Sequence, residues 1–326
     1  MIKYLGSKRT LLSEIMSTVQ SLTPAGTVLD LFSGTSRVSQ ALRSRGYQVF
    51  ANDHNAYVEG DMARHGAHAQ TLIAELNRLP GEPGYFTNTF CERSRFFQPR
   101  NGARVDAIRE EIARKGLDPV LEAVLLTSLL EAADRVDSTV GVQMAYLKQW
   151  SPRSFNSLVL LMPDLPKGVR AGRATQLDAY AAAPIEADVA YLDPPYNQHK
   201  YLGNYHIWES LVLWDKPEVY GIACKRVDCR TRKSEFNSKL ASRAALVAVI
   251  DRIVAPHIIV SFNDEGFITR EEMLGILRPL DVRILEFPRK RYIGAKIGVY
   301  SPQGEKVGEA GRTDNIEYLF VATKAR

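Results

Sequence analysis

Hydrophobic and polar positions along the N-terminal part of the chain predict a helix, a strand, a second helix and a second strand. Apolar residues at helical spacing indicate the first helix: Leu11, Leu12, Ile15 and Val19. The apolar run at 27–32 is typical of a buried strand, and 37–46 predicts a helix that ends at Gly46, a natural left-handed cap. The segment 47–53 predicts a strand that finishes on Asp53. This order is a βαβ unit, which implies a parallel sheet.

The middle of the chain, from about residue 57 to residue 172, has helical periodicity without alternating strands. Gly116 ends one predicted helix, and Asp118 and Pro119 are a favourable N-cap and first helical position for the next. We therefore expect a helical insertion in this part of the chain.

Strand patterns return after the insertion. They lie at 187–193, 257–262, 280–287 and 316–324, with a hairpin predicted around 301–304. Because parallel-type strands occur on both sides of the helical part, the pattern predicts one α/β sheet that is interrupted by a second module.

Composition indicates an ordinary folded protein of 326 residues, with 45% hydrophobic and 24% charged residues. No apolar run reaches the ~18 residues that a membrane span needs. The N-terminus carries charges where a signal peptide would have its apolar stretch. The sequence therefore predicts a cytoplasmic protein without a membrane partner.

The net charge of +5 is compatible with a polyanionic partner without establishing one. Basic residues cluster at 91–104, 224–233 and 289–291, and Phe96 and Phe97 lie inside the first cluster. Interleaved cations and rings suit phosphates and unstacked bases. Solvated surface charge is the equally weighted alternative for any one cluster.

The three cysteines, Cys91, Cys224 and Cys229, have no second Cys or His pair at zinc spacing. We expect reduced, structural thiols and no metal site.

The glycine turn at 33–36 follows a strand and opens a helix, where backbone N–H groups and the positive helix end can meet a ligand. Only Gly34 is a glycine, so the turn lacks the G-x-G-x-x-G pattern of dinucleotide sites, and nicotinamide cofactors are disfavoured. A ligand without phosphates fits better, with Asp30 facing an amino-acid end. Asp53, at the end of the next strand, is suited to ribose hydroxyls.

The stretch VAYLDPPY at 189–196 leads an apolar strand into an acid, two prolines and a ring. At the carboxyl end of a parallel strand, Asp193 is expected in the crevice where open α/β sheets bind ligands. Pro194 and Pro195 fix φ at about −65° and leave carbonyl acceptors. The Asp193 carboxylate and the Pro194 carbonyl suit the two N–H bonds of an exocyclic amino group, and Tyr196 offers a ring for a flipped-out base. A rigid turn that caps the strand is the alternative.

These motifs resemble the alpha group of the DNA adenine methyltransferases, which transfer a methyl group from S-adenosylmethionine to the exocyclic amino group of adenine. DPPY is similar to their catalytic tetrapeptide, which implies catalytic roles for Asp193, Pro194, Pro195 and Tyr196. Other segments are similar to their cofactor motifs: KYLGSKR, DLFSGTSRVS, the ribose-binding acid and LDAY. The resemblance implies that S-adenosylmethionine is bound by Lys3, Tyr4, Gly6, Lys8, Asp30, Phe32, Ser33, Gly34, Asp53, Asp178 and Asp193.

The resemblance covers most of the chain and implies a Rossmann-like methyltransferase sheet. Residues 1–56 and 173–326 correspond to the catalytic domain, and 57–172 to an inserted helical target-recognition domain. The turn departs from many relatives because it lacks their second glycine. The segment after DPPY is not assigned; its polar and aromatic residues either contact the flipped nucleotide or pack against Trp208 and Trp214. Candidates for DNA contact are Arg93, Arg95, Arg100, Lys148, Arg153, Lys200 and Tyr201.

The resemblance therefore predicts a site-specific enzyme that flips an adenine out of double-stranded DNA and methylates its N6 amino group directly. A restriction endonuclease of the same restriction-modification system is an open candidate partner. Three alternatives remain: methylation of cytosine N4, methylation of adenine in RNA, and a nucleic-acid-binding module that has lost catalysis.

Overall fold

The computed structural model describes residues 8–53, 66–164, 172–198, 200–290, 299–300, 306–308 and 314–324. Its helices are α1 Leu12–Leu22, α2 Arg37–Arg43, α3 Gly66–Arg78, α4 Tyr85–Thr87, α5 Pro99–Lys115, α6 Pro119–Val136, α7 Ala179–Ala182, α8 Tyr201–Asn204, α9 His206–Leu213, α10 Ser242–Arg252 and α11 Arg270–Leu277. Its strands are β1 Thr27–Asp30, β2 Gln48–Asn52, β3 Arg173–Thr175, β4 Val189–Leu192, β5 Val219–Tyr220, β6 Lys225–Arg226, β7 His257–Asn263, β8 Asp281–Lys290, β9 Val299–Tyr300, β10 Lys306–Gly308 and β11 Asp314–Thr323.

A seven-stranded sheet with the order β3-β2-β1-β4-β7-β11-β8 forms the centre of the fold. The strands from β3 to β7 pair in parallel, whereas β11 pairs antiparallel with both β7 and β8. The predicted α/β methyltransferase sheet is confirmed, and β1 pairs with strands from both sides of the helical part. β9 and β10 pair antiparallel as the predicted hairpin requires, but its turn lies outside the described residues.

Alternate residues of the central strands bury opposite faces of the sheet in two cores, because side chains in a strand alternate between the two sides. On one face, Val28 and Val189 pack with residues of α1 and α2. On the other, Leu29 and Leu192 pack with residues of α10 and α11. The carboxyl ends of β1, β2 and β4 are thereby held at a common edge.

A third core belongs to the helical part, and no strand occurs within the described stretch 66–164. The predicted signals are confirmed there: Gly116 has a φ of 56°, and the Asp118 side chain accepts a hydrogen bond from the Val120 N–H. Trp208 and Leu211 of α9 also pack into this core, so it extends beyond the predicted 57–172 segment. The assignment of this segment to target recognition stays a prediction.

Phe96 and Phe97 are 0% and 1% exposed and form part of the helical core. The expectation that these two rings stack on unstacked bases is therefore wrong, because burial gives bases no access to them. In this basic cluster the two rings face the helical core, whereas Arg93 and Arg100 are exposed to solvent.

Among the described residues, no helix is both long enough and apolar enough to cross a membrane.

Candidate active site

A cavity of about 540 Å³ opens at the carboxyl ends of β1, β2 and β4. This volume is in the range of sites that enclose a small molecule. Eleven of the predicted site residues line it: Lys8, Asp30, Phe32, Ser33, Gly34, Asp53, Asp178, Asp193, Pro195, Lys200 and Tyr201. The glycine turn and the DPPY acid, 159 positions apart in the sequence, therefore face one cavity.

The glycine turn is held in shape by the strand beside it. The Gly34 N–H donates to Asp53 Oδ2 at 2.8 Å, and the Ser33 N–H donates to the Asn52 carbonyl at 2.9 Å. Gly34 and Ser36 have φ values of 51° and 54°, so both adopt the left-handed conformation. Ser36 does so without being a glycine, at the C-terminal side of a turn that lacks a second glycine.

Asn52 connects three strand ends at the floor of the cavity, a role that the sequence did not indicate. Its amide donates to the Leu31 carbonyl at 3.3 Å and the Leu177 carbonyl at 3.1 Å. Its Oδ1 accepts from Thr175 Oγ1 at 2.8 Å and from the Leu177 N–H at 3.0 Å. These bonds position Leu177 and Asp178 beside the first two strands.

Asp30 and Asp178, two acids that line the cavity, have local hydrogen-bond partners as well. Asp30 is 1% exposed and accepts a hydrogen bond from Ser39 Oγ at 2.7 Å. Asp178 is the N-cap of α7, and its Oδ1 accepts from the Tyr180 N–H at 2.8 Å. Neither bond removes these carboxylates from the cavity wall, which both residues line.

Residues 232–237 form a wall of the cavity that sequence analysis missed. The Phe236 ring packs edge-to-face against Phe32 with the ring centres 5.2 Å apart. The Asn237 amide donates to the Asn197 carbonyl at 2.8 Å, which joins this wall to the loop after the tetrapeptide. The basic cluster at 224–233 suggested either phosphate contacts or solvated surface charge and gave no sign of this cavity wall, which only tertiary contacts create.

The DPPY tetrapeptide continues directly from β4. Asp193 and Pro195 line the cavity, and Pro194 is buried. Tyr196 lies beside the cavity, packed edge-to-face against Phe262 with ring centres 5.5 Å apart. Tyr201 lies on the cavity wall and is stacked on Tyr205, with ring centres 6.5 Å apart.

Lys8 forms an ion pair with Asp193, with Nζ 3.1 Å from Oδ1. Burial raises the pKa of Asp193 to about 6, although the charge of Lys8 acts in the opposite direction. Burial also raises the pKa of Tyr196 to about 12, so that its hydroxyl stays protonated at neutral pH. Asp193 is thus a carboxylate whose charge is sensitive to its neighbours.

Some predicted residues lie outside the described part of the chain. These are Lys3, Tyr4 and Gly6 of the N-terminal motif. Their predicted roles stay predictions.

The candidate DNA contacts divide into exposed residues and residues with internal partners. Arg93, Lys148 and Lys200 are exposed. Arg95 stacks on Trp150 and donates to the Lys148 carbonyl at 2.9 Å. The two remaining arginines also bind the segment around 137–156: Arg100 donates to the Phe155 carbonyl, and Arg153 pairs with Asp137. Contact with DNA stays a prediction for all of them.

The second basic cluster contains an internal ion-pair network. Arg226 is 3% exposed and binds Asp215 through two hydrogen bonds of 2.8 and 2.7 Å, and Asp228 at 3.1 Å. Arg232 binds Glu209 at 2.8 Å. These two arginines therefore stabilise the segment between α9 and α10 through internal ion pairs.

The three cysteines are free and buried. Burial raises the pKa of Cys229 to about 11, and the pKa of Cys91 is raised as well for the same reason. Both thiols are therefore protonated at neutral pH, which agrees with a structural role.

Comparison with known proteins gives a match to the model of the family described as D12 class N6 adenine-specific DNA methyltransferase, over residues 4–274. The Type II methyltransferase M.FokI of Planomicrobium okeanokoites is 30% identical over 323 residues, which cover 89% of this chain and 50% of that protein. Modification methylase StsI of Streptococcus sanguinis is 29% identical, with coverage of 89% and 49%. The Type II methyltransferase M.NlaIII of Neisseria lactamica is 29% identical, with coverage of 82% and 85%. The chain thus spans about half the length of the first two relatives.

Proposed function

The chain belongs to the D12 class of N6 adenine-specific DNA methyltransferases, and on that premise we propose that it methylates the N6 amino group of adenine in double-stranded DNA. We further propose S-adenosylmethionine as the methyl donor. The observation that carries the proposal is the common cavity, in which the glycine turn and the DPPY acid meet.

The lining of the cavity fits the chemical groups of S-adenosylmethionine. Carboxylates at Asp30, Asp53 and Asp178 can accept hydrogen bonds from an ammonium group, from ribose hydroxyls and from an adenine amino group. Phe32 and Phe236 supply aromatic surface between these acids. When bound, this donor supplies a methyl group on a sulfonium, which is a good leaving group.

The protein's own contribution to the reaction is positioning and electrostatics. The Asp193 carboxylate and the Pro194 carbonyl are proposed to accept the two N–H bonds of the adenine amino group. These acceptors direct the nitrogen lone pair away from the ring and toward the donor. Because the acceptors are fixed before the reaction, they stabilise the positive charge that develops on nitrogen.

An adenine can reach Asp193 only after it has left the base stack, which costs a few kcal/mol. Tyr201 and Lys200 line the same cavity as Asp193, on the segment that follows the tetrapeptide. We propose Tyr201 as a ring against which the flipped base packs, because stacking of a base on an aromatic ring contributes about 1–3 kcal/mol. We propose that Lys200, which is exposed, contacts a neighbouring phosphate.

Asp193→Ala should reduce methyl transfer to duplex DNA by at least about 100-fold, because it removes a preorganised acceptor. Methyl transfer is measured with labelled donor, and the methylated base is identified by nucleoside mass spectrometry. Donor binding by calorimetry and duplex binding by anisotropy should remain within a few-fold of the original protein. Asp251→Ala, which removes an exposed acid from α10, is the matched control.

Each alternative gives a different outcome in the same experiment. Methylated cytosine would contradict the assignment of adenine as the target base. Transfer of the label to single-stranded RNA and not to DNA would contradict the assignment of DNA as the substrate. Donor binding without transfer to any substrate would indicate an inactive module. Near-original activity of Asp193→Ala would overturn the site itself.

A further inference from the structure

Lys8 connects two carboxylates that come from distant parts of the chain. Its Nζ lies 3.1 Å from Asp193 Oδ1 and 3.4 Å from Glu317 Oε2. It also lies 5.6 Å from the centre of the Tyr196 ring. The residue is only 6% exposed, so the three charges interact where water screens them little.

The alternation of β11 places Glu317 in this position. Leu319 packs with the core that contains α1, whereas Tyr318 and Phe320 pack with the core on the opposite face of the sheet. Glu317 is two residues from Leu319, so its side chain lies on the same face of the sheet as α1. Lys8 precedes α1 in the sequence by four positions. Its register partner Asn263 on β7 donates to Glu317 Oε1 at 3.5 Å. The sheet therefore fixes the position of this carboxylate.

The cluster contains one cation and two carboxylates. Burial alone would lower the pKa of Lys8, but the charges of Asp193 and Glu317 outweigh burial and raise it well above its usual value. For Asp193, burial raises the pKa to about 6; Lys8 lowers it and Glu317 raises it. Lys8 is therefore the group that keeps Asp193 ionised, and Glu317 limits that effect.

Among the residues that the structure describes, the nearby tyrosine hydroxyls stay protonated, and so uncharged, at neutral pH. Burial raises the pKa of each of the nearby hydroxyls, those of Tyr191, Tyr196 and Tyr201. The more distant charged groups are Asp30 on β1, Glu265 after β7, and Arg289 on β8, which pairs with Glu14. The charge state of Asp193 thus depends mainly on Lys8 and Glu317.

We propose that Glu317 is a positioning residue for the methyl transfer, and that it acts through Lys8 on Asp193. By binding one donor of the shared ammonium group, Glu317 holds Lys8 against Asp193 Oδ1 and leaves Oδ2 directed at the substrate. It also prevents Lys8 from neutralising Asp193 fully, so that Asp193 remains a strong hydrogen-bond acceptor. The inference rests on the proposed function of this site.

The chemistry of the reaction gives a reason for this tuning. When the adenine nitrogen forms a bond to the methyl carbon, the carbon–sulfur bond breaks and the nitrogen must lose one proton. The acceptor of an N–H bond is the group to which that proton can move. If Lys8 paired with Asp193 alone, Asp193 would be a weaker proton acceptor. Because Lys8 also pairs with Glu317, Asp193 keeps more of its basicity.

Two substitutions should shift the acid limb of the pH profile of kcat/KM in opposite directions. Glu317→Gln removes the charge that raises the pKa of Asp193, so the limb should move from about 6 to lower pH by roughly one unit. Lys8→Met removes the cation that lowers the pKa of Asp193, so the limb should move to higher pH by roughly one unit or more. At pH 8, kcat of Glu317→Gln should fall by about 3- to 10-fold, with KM for donor and DNA unchanged.

Conservative variants and a matched control separate positioning from folding. Glu317→Asp and Lys8→Arg keep the charges, so each should retain the original acid limb even if its rate falls. Glu286→Gln makes the same charge change on β8, where Glu286 forms an exposed ion pair with Arg270 at 3.1 Å. Its pH profile and rate should equal those of the original protein.

A carboxyl titration by NMR tests the charge cluster without depending on activity. The Asp193 signal, assigned with Asp193→Asn, should titrate at lower pH in Glu317→Gln and at higher pH in Lys8→Met. If the protein does not methylate adenine, the proposed function fails, and this titration still decides whether Glu317 controls Asp193. Unchanged titrations, or shifts in the same direction in both variants, would overturn the inference.

Discussion

At the residue scale, the left-handed backbone conformation of Ser36 is a feature that the sequence does not predict. A φ of 54° costs about 1–2 kcal/mol for a residue with a Cβ atom, and glycine avoids this cost. Ser36 lies at the position where helix α2 begins, immediately after the turn that carries Gly34. The turn therefore has the conformation of a two-glycine turn while using one glycine.

Ser36→Gly should leave the free energy of unfolding unchanged or raise it by up to about 1 kcal/mol, because relief of strain outweighs the greater freedom of glycine in the unfolded chain. Urea denaturation measures the difference. The same substitution at Ser44, which has a helical φ of −62°, should lower stability by about 0.5–1 kcal/mol. If Ser36→Gly lowered the free energy of unfolding by more than about 1 kcal/mol, the inferred backbone strain at Ser36 would be wrong.

Single residues of the site were predictable to different degrees. Asp193, Gly34 and Asp53 belong to short motifs whose spacing from strand ends is visible in the sequence. Asn52 and Glu317 are ordinary polar residues in strands, and their contacts near the site are with partners more than 100 positions away, at Leu177 and Lys8. No local pattern records such partners.

At the element scale, α9 is fixed by a buried histidine that lies at its first position. His206 is 0% exposed and lies between Phe90 and Phe96, with Nε2 3.0 Å from the Gln143 carbonyl. The Ile207 N–H donates to Gln143 Oε1 at 2.8 Å. The loop that contains Gln143 is thereby attached to the segment that follows the DPPY tetrapeptide.

The stability of this attachment should depend on pH. Burial lowers the pKa of His206 to about 3, whereas an unfolded chain has a histidine pKa of about 6.5. Between these values the unfolded state binds more protons, so stability is fully present above about 6.5 and is lost as the pH falls toward 3. Between pH 7 and pH 5 the loss from this group should be on the order of 2 kcal/mol.

His206→Gln should therefore lose less stability between pH 7 and pH 5 than the original protein does, as measured by urea denaturation at both values. His68→Gln, on the exposed face of α3, serves as the control and should keep the original pH dependence. An equal loss of stability in His206→Gln and the original protein would contradict the role of His206.

At the scale of the whole molecule, α9 joins the segment that follows the DPPY tetrapeptide to the helical core. Trp208 is 3% exposed and lies with its ring centre 6.2 Å from that of Phe97, although it follows Asp193 by only 15 positions. The loop between them carries Lys200 and Tyr201 to the cavity wall. The part of the cavity wall that carries Lys200 and Tyr201 thus depends on both the sheet and the helical core.

Trp208→Ala should lower the free energy of unfolding by about 3–5 kcal/mol, because it leaves a large cavity in the helical core. Leu213→Ala on the same helix, where Leu213 is 41% exposed, should cost less than about 1 kcal/mol. Urea denaturation of both variants tests the difference. Similar costs for the two variants would contradict the packing of α9 into this core.

The sequence by itself determined the main helices and strands and the motifs that line the cavity. Strand periodicity, the Gly116 and Asp118 signals and the DPPY tetrapeptide are local features, and each was found where the sequence predicted it. These features are readable because backbone preferences and side-chain alternation act over a few residues.

The tertiary structure alone decided the strand order, the antiparallel insertion of β11 between β7 and β8, and the contacts that complete the site. It buried Phe96 and Phe97, moved 232–237 to the cavity wall, and paired Lys8 with both Asp193 and Glu317. Such contacts depend on which surfaces exclude water together and on how buried charges find partners, and these are properties of the packed chain as a whole.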